Sequence, residues 1–422
     1  MKNTSNQKQI VIIGCFFFIF GFLTWVNGTL IPYLRIACEL KEWQAYLVVF
    51  AFYISYTVMA IPSGKLLERT GMVKGMRIGL SVMAVGCAIF IPAAMVRYYP
   101  IFLAGLFVVG SGLTLLQTAV NPYITLLGSP EKASQRISIM GICNKFAGII
   151  APLVLGAIIL ANSDSLTNEL KMLSPSAKSA RLDQLAQEVV IPYAALTVIL
   201  LFIAYVLKYA QLPNLKAEQF TETPEHSAFT SKQMVNFSLG FLAIFCTVGV
   251  EVVAGDTISN YGLYHHYSLE VAKNFTSYTL AAMMVGYVLG IIVVPRFISQ
   301  EKAFLYSNLL AIVLTLFILF AAPFYSLLAL SLLGFSNALL WPAIWPQALR
   351  GMSGRALSRA SSVLIMGIAG GAILPLIYGW LAHATNNQLA YIIVVPCYLF
   401  NIFYWFKGRK EQLAALPLQV EP

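Results

Sequence analysis

Apolar stretches of roughly 20 residues recur from one end of this chain to the other, and each is long enough to cross a bilayer as a helix. In hydrocarbon every backbone N–H and C=O must find its partner inside the protein, so such a chain folds as a bundle of helices. Composition agrees: of 422 residues, 59% are hydrophobic and 10% are charged, against about 25% charged in a typical soluble domain. Soluble enzymes and nucleic-acid-binding proteins are thereby excluded. The six cysteines (Cys15, Cys38, Cys87, Cys143, Cys246 and Cys397) lie almost entirely within apolar runs and have no metal-ligand spacing. They read as small core residues.

A window of about 19 residues places spans near 10–34, 44–67, 76–96, 100–127, 135–161 and 190–210. Six more fall near 233–263, 270–294, 303–321, 323–349, 357–383 and 389–406. The expected fold is an all-α membrane protein of twelve transmembrane helices: a six-helix half at 1–210, a cytoplasmic linker at 211–232 and a second half at 233–422. The apolar run after the short polar segment Met1–Gln9 is too long for a signal-peptide core and reads as the first span. Between spans five and six, the mixed-charge segment 162–189 suggests an external loop with a short amphipathic helix.

With both termini inside, the inner segments hold 19 Lys/Arg and the outer ones seven, with Lys145 left inside a helix. This positive-inside bias explains the net charge of +10 as topology and attraction to anionic membrane lipid rather than a nucleic-acid partner. It predicts cytoplasmic termini in a bacterial inner membrane, and the chain reads as a monomer.

The halves resemble each other. Span five carries Ile139-Met140-Gly141-Ile142, Gly148, Pro152-Leu153 and Gly156; span eleven carries Ile365-Met366-Gly367-Ile368, Gly370-Gly371, Pro375-Leu376 and Gly379. Spans four and ten share a late proline, Pro122 and Pro346. Duplicated six-helix halves that hold a substrate between them are a transporter architecture. After span two, Gly64-Lys65-Leu66-Leu67-Glu68-Arg69-Thr70-Gly71 resembles the signature loop of the major facilitator superfamily, with Glu68 at the usual Asp position. The resemblance implies a gating role for Gly64, Glu68, Arg69 and Gly71, with the loop charges pairing or capping helix ends.

Gln117-Thr118-Ala119-Val120-Asn121-Pro122-Tyr123, Cys143-Asn144-Lys145, the run Gly249 to Thr257 and Trp341-Pro342-Ala343-Ile344-Trp345 resemble the fucose–galactose–glucose symporter family, above all its glucose/galactose branch. The resemblance implies cation-coupled import of a neutral hexose. Fucose-transporting members carry acidic residues in helices one and four; Gly28 and Gln117 stand there in this chain. A coupling charge must then come from elsewhere.

Three ionisable residues sit well inside spans, Lys145, Glu251 and Asp256, each at a cost of roughly 2.5–3.5 kcal/mol at a helix centre. One reading is a packing bridge from Lys145 to a carboxylate. The other is competition between Lys145 and Na+ or a proton for that carboxylate. Glu251 and Asp256 are about 140° apart on an ideal helix, so both face one point only if Gly249 or Gly255 allows unwinding. Asp256, Thr257 and Asn260 offer an oxygen-only set of the kind a hard cation takes. Sugar recognition needs paired polar groups and a flat apolar surface. Gln117 and Asn121 lie four apart, as do Trp341 and Trp345; Gln347, Asn27, Trp25 and Asn144 are candidates to complete the site. His265, His266 and His383 read as exposed loop or helix-end residues.

The expected function is hexose import, of the glucose, galactose or mannose type, coupled to Na+ or H+, with no other cofactor. The alternatives are a proton-coupled drug or metabolite antiporter and an uncoupled facilitator. A sugar sensor would need a longer soluble output segment, and a membrane enzyme a nucleophile–base or metal set.

Overall fold

A computed structural model describes residues 2–126, 133–160, 166, 169–170, 172–210, 212, 231–294, 296–350, 352 and 354–415. Nearly all of the linker at 211–232 lies outside them. Among the described residues, twelve helices are long and apolar enough to cross a membrane, from Gln9–Ala37 to Leu389–Lys407, and their order matches the expected two sets of six. The mixed-charge segment does carry a short helix, Pro175–Gln187. It is pinned onto the first half by Tyr33 Oη donating to Leu185 O (2.6 Å), Arg97–Asp183 (2.9 Å) and Lys178–Glu39 (2.7 Å).

Four expected single helices are interrupted. The first span divides at Val26 into Lys2–Trp25 and Asn27–Ala37, and the seventh at Thr257 into Ser231–Asp256 and Ile258–Tyr264. The tenth divides after Asn337, resuming at Leu340–Ala348, and the eleventh tightens to 3-10 at Gly367–Ala369. Pro342 has no N–H for the carbonyl four residues back, Ala338, which places the break in the tenth span, whereas Pro32 lies inside Asn27–Ala37 and leaves the break at Val26 unexplained. In the seventh span, Thr257 Oγ1 bonds back to Val253 O at 2.6 Å and meets Tyr391 Oη at 2.7 Å; such back-bonding bends helices.

The signature motif is mostly helix. The second span continues through Thr70 and the third begins at Met72, so Gly71 alone turns the chain, at φ 78° and ψ 164°. Only glycine adopts that backbone without strain. The expected charge pairing is corrected here: Glu68 and Arg69 are exposed, and neither forms an ion pair among the described residues. Gly64 does sit at a junction of halves, because a Cβ there would stand 3.0 Å from Ser362 Oγ.

Both termini lie on one face, here the terminal face. On the opposite face the halves are sealed together. Tyr46 Oη accepts from Asn260 Nδ2 (3.3 Å), and its ring meets Tyr378 edge-on at 5.8 Å. Ser277 Oγ donates to Ile149 O (2.8 Å), and Lys273 Nζ donates to Leu160 O (3.1 Å) at the C-terminal end of the fifth span.

Candidate functional site: a cavity between the halves

Below that seal lies a cavity of ≈ 150 Å³ lined from both halves. At about 10–15 Å³ per water it holds on the order of ten waters, comparable with the heavy-atom count of one hexose. Phe17, Ile124, Ile137 and Trp345 extend the lining toward the terminal face.

Most of the expected sugar-binding residues meet here: Gln117, Asn121, Asn144, Trp341 and Trp345 all line the cavity. Gln117 Nε2 donates to Tyr56 Oη at 3.0 Å, which leaves its carbonyl oxygen for a ligand. Asn144 is held by Trp25, whose indole Nε1 donates to Asn144 Oδ1 at 3.4 Å. Trp341 and Trp345 stack at 5.2 Å between ring centroids and 21° between planes. That arrangement gives a flat aromatic plate on the cavity wall.

Two expected residues fall outside the lining. Asn27 is fully buried, and neither its Nδ2 nor its Oδ1 has a hydrogen-bond partner. Gln347 is half-buried one turn beyond the plate, where its backbone oxygen accepts from Asn236 Nδ2 (2.8 Å).

Lys145 pairs with Glu251, joining the fifth span to the seventh across the junction of the halves. Both side chains face the cavity, at 7% and 13% exposure. The ammonium also lies 4.4 Å from the centroid of Trp25, within cation–π range. The pair therefore sits beside the amides and the indole plate.

Asp256 and Asn260 do not join it. Asp256 is fully buried with no partner on either carboxylate oxygen, and Asn260 spends its amide on Tyr46 in the seal. Five residues separate Asp256 from Glu251, about 7.5 Å along a helix. The break falls at Thr257, beyond both carboxylates, so it does not turn them to a common point. Gly28 belongs to the seal too: a Cβ there would stand 2.6 Å from Thr276 Oγ1, so no acidic side chain fits.

Sequence reasoning missed Tyr53, Tyr56 and Tyr287, all in the wall. A tyrosine in a span carries a hydroxyl that needs a polar neighbour; Tyr53 and Tyr56, three apart and stacked at 6.2 Å, were the available signal.

The family model described as Major Facilitator Superfamily matches residues 13–371. A glucose/galactose transporter of Brucella abortus is 32% identical over 97% of each chain, and the L-fucose-proton symporter of Escherichia coli is 28% identical over 98% of this chain and 96% of that one. Among solved structures, the transporter FucP in the outward conformation superposes with a TM-score of 0.73 at 27% identity, covering 95% of this chain and 98% of that one.

Proposed function

The chain belongs to the major facilitator superfamily, within it to the fucose–galactose–glucose symporter family, and is a sugar transporter; from that premise we propose that it imports a neutral hexose of the glucose, galactose or mannose type, driven by a cation. The observation that carries this reading is the hexose-sized cavity in which Gln117, Asn121 and Asn144 face the Trp341–Trp345 plate. Amides supply donors and acceptors for hydroxyls, and indoles take the apolar ring face. The two charges in the wall offset each other, which suits an uncharged substrate. Relatives named as glucose/galactose transporters favour those sugars.

Coupling acts on the Lys145–Glu251 pair in this reading. A proton or Na+ on Glu251 displaces the ammonium and removes a link between the halves. A ligand shifts a conformational equilibrium only through different affinity for the two states, and an inter-half ion pair supplies that difference. Asp256 and Asn260, locked in the seal here, form the complementary polar element uncovered when the opposite face opens. The basic-residue bias of 19 to seven supports cytoplasmic termini, which makes the sealed face periplasmic and the cavity inward-facing.

The test is uptake of labelled hexoses into proteoliposomes under an imposed Na+ gradient or an imposed pH gradient. Accumulation under one gradient identifies the cation. Equilibration without accumulation under either reduces the Lys145–Glu251 pair to a structural link. No uptake of any hexose overturns the substrate class.

A further inference from the structure

A second cavity, of ≈ 550 Å³, opens on the outer flank of the first half, between the third span (Met72–Val96) and the sixth (whose last helix is Val190–Val206). It does not communicate with the sugar site, since the two share no lining residue. Its end toward the terminal face is basic, and its remainder is apolar apart from Ser81.

Lys74 and Arg77 lie in the first two turns of the third span, beside Ala204 and Tyr205 at the end of the sixth. Lys74 is exposed. Arg77 is half-buried, with Nε fixed on Ala204 O at 3.2 Å. That bond orients the guanidinium and leaves its terminal nitrogens to other acceptors. Neither residue pairs with a carboxylate among the described residues. Two neighbouring cations without an anion, one of them pre-oriented, form a receptor for a phosphodiester. From this end the groove runs toward the bilayer centre past Val82, Val85 and Leu201. The eight residues from Arg77 to Val85 span about 12 Å of helix, enough to hold the headgroup-proximal half of an acyl chain. Val85 is 57% and Leu201 48% exposed, and on this flank lipid is what they are exposed to.

We propose that this groove binds an anionic glycerophospholipid of the leaflet on the terminal face, with its phosphate on Lys74 and Arg77 and one acyl chain along the apolar trough. The charge, the level of the basic pair within one to two turns of the span end, and the continuation into hydrocarbon all match a lipid. A free phosphate would leave the trough without an occupant. Basic pockets between spans are known lipid headgroup sites in general; here the ligands and the chain path are specific.

Phosphatidylglycerol would be titrated into the purified full chain in uncharged detergent, with binding read by native mass spectrometry and by the thermal midpoint. The wild-type chain is expected to retain one phosphatidylglycerol in preference to phosphatidylcholine and to melt higher with it. Lys74→Gln and Arg77→Gln should each weaken retention about fivefold, and the double variant about 25-fold. Arg77→Lys keeps the charge without the fork and guards against misfolding; it should bind between the wild type and Arg77→Gln. Lys302→Gln, an exposed lysine at the start of the ninth span, should change nothing. Equal retention by wild type and double variant overturns the site, as does an equal loss in Lys302→Gln, which would mean diffuse surface attraction. Stabilisation by sn-glycerol 3-phosphate as strong as that by the lipid would also overturn it.

Discussion

Replacing Glu251 by Gln keeps the shape of the side chain and removes its charge, leaving the Lys145 ammonium 7% exposed in the cavity wall without a counter-ion. Breaking a buried pair from one side costs about 3–5 kcal/mol. The Trp25 ring, 4.4 Å away, retains about 1–2 kcal/mol of that through its cation–π contact. The expected net loss of stability is therefore about 1–4 kcal/mol. The double variant Lys145→Met, Glu251→Gln removes the stranded charge and should recover most of it, because uncharged neighbours of similar volume replace a buried pair at little cost. Unfolding of the purified single and double variants, compared with Lys145→Met alone, measures the coupling directly.

Transport is the sharper readout. One charge moved across 100 mV is worth about 2.3 kcal/mol, which sustains about a 50-fold sugar gradient at one cation per sugar. With coupling at Glu251, the glutamine variant should equilibrate labelled hexose across the proteoliposome membrane and accumulate none, while sugar exchange persists. If Glu251→Gln concentrates hexose as the wild type does, the pair plays no part in coupling. If the double variant is as unstable as the single one, the stranded-charge argument itself is wrong.

Gln117→Leu removes an amide that faces the cavity and leaves Tyr56 Oη without its donor. Loss of one hydrogen bond to a sugar hydroxyl should weaken hexose binding about tenfold, read by counterflow, and an unchanged affinity would remove Gln117 from the site. Gly71→Ala puts a Cβ on a backbone at φ 78° and should destabilise the chain by about 1–3 kcal/mol, seen as a lower melting temperature. Lys273→Met deletes the bond that ties the eighth span to the end of the fifth on the sealed face. Thr29→Cys in that background should react with a thiol reagent added from the sealed side several-fold faster than in the parent, whereas an unchanged rate means that Lys273 is no latch.

The spans were legible because lipid imposes a simple rule on every residue that faces it, and that rule repeats twelve times in this chain. Breaks within spans were only partly so. Pro342 points four residues back to Ala338, whereas the break at Thr257 depends on a hydroxyl contact with Tyr391 from the last span, which no local pattern contains. Within the site, Lys145 stood out as a cation in an apolar run, but two carboxylates five positions apart competed for it. Tertiary packing chose Glu251.

The misplacement of Asn27, Asp256 and Asn260 has a common cause. A polar residue in a span must leave the lipid, and periodicity can say as much, but the protein interior offers two destinations. One is the cavity wall and the other is the seal that closes the opposite face, and they differ only in whether the facing half is in contact. Gln117 and Asn144 took the first; Asp256 took the second, and Asn27 is buried outside the wall, both with their polar atoms left without a protein partner. A buried group with neither a protein partner nor a water carries a free-energy penalty of about 1–3 kcal/mol. If the chain works by alternating access, as proposed above, the destinations exchange as the seal opens. In that scheme Asp256 would become a wall residue, with its unpartnered carboxylate favouring the exchange and the Lys145–Glu251 pair opposing it.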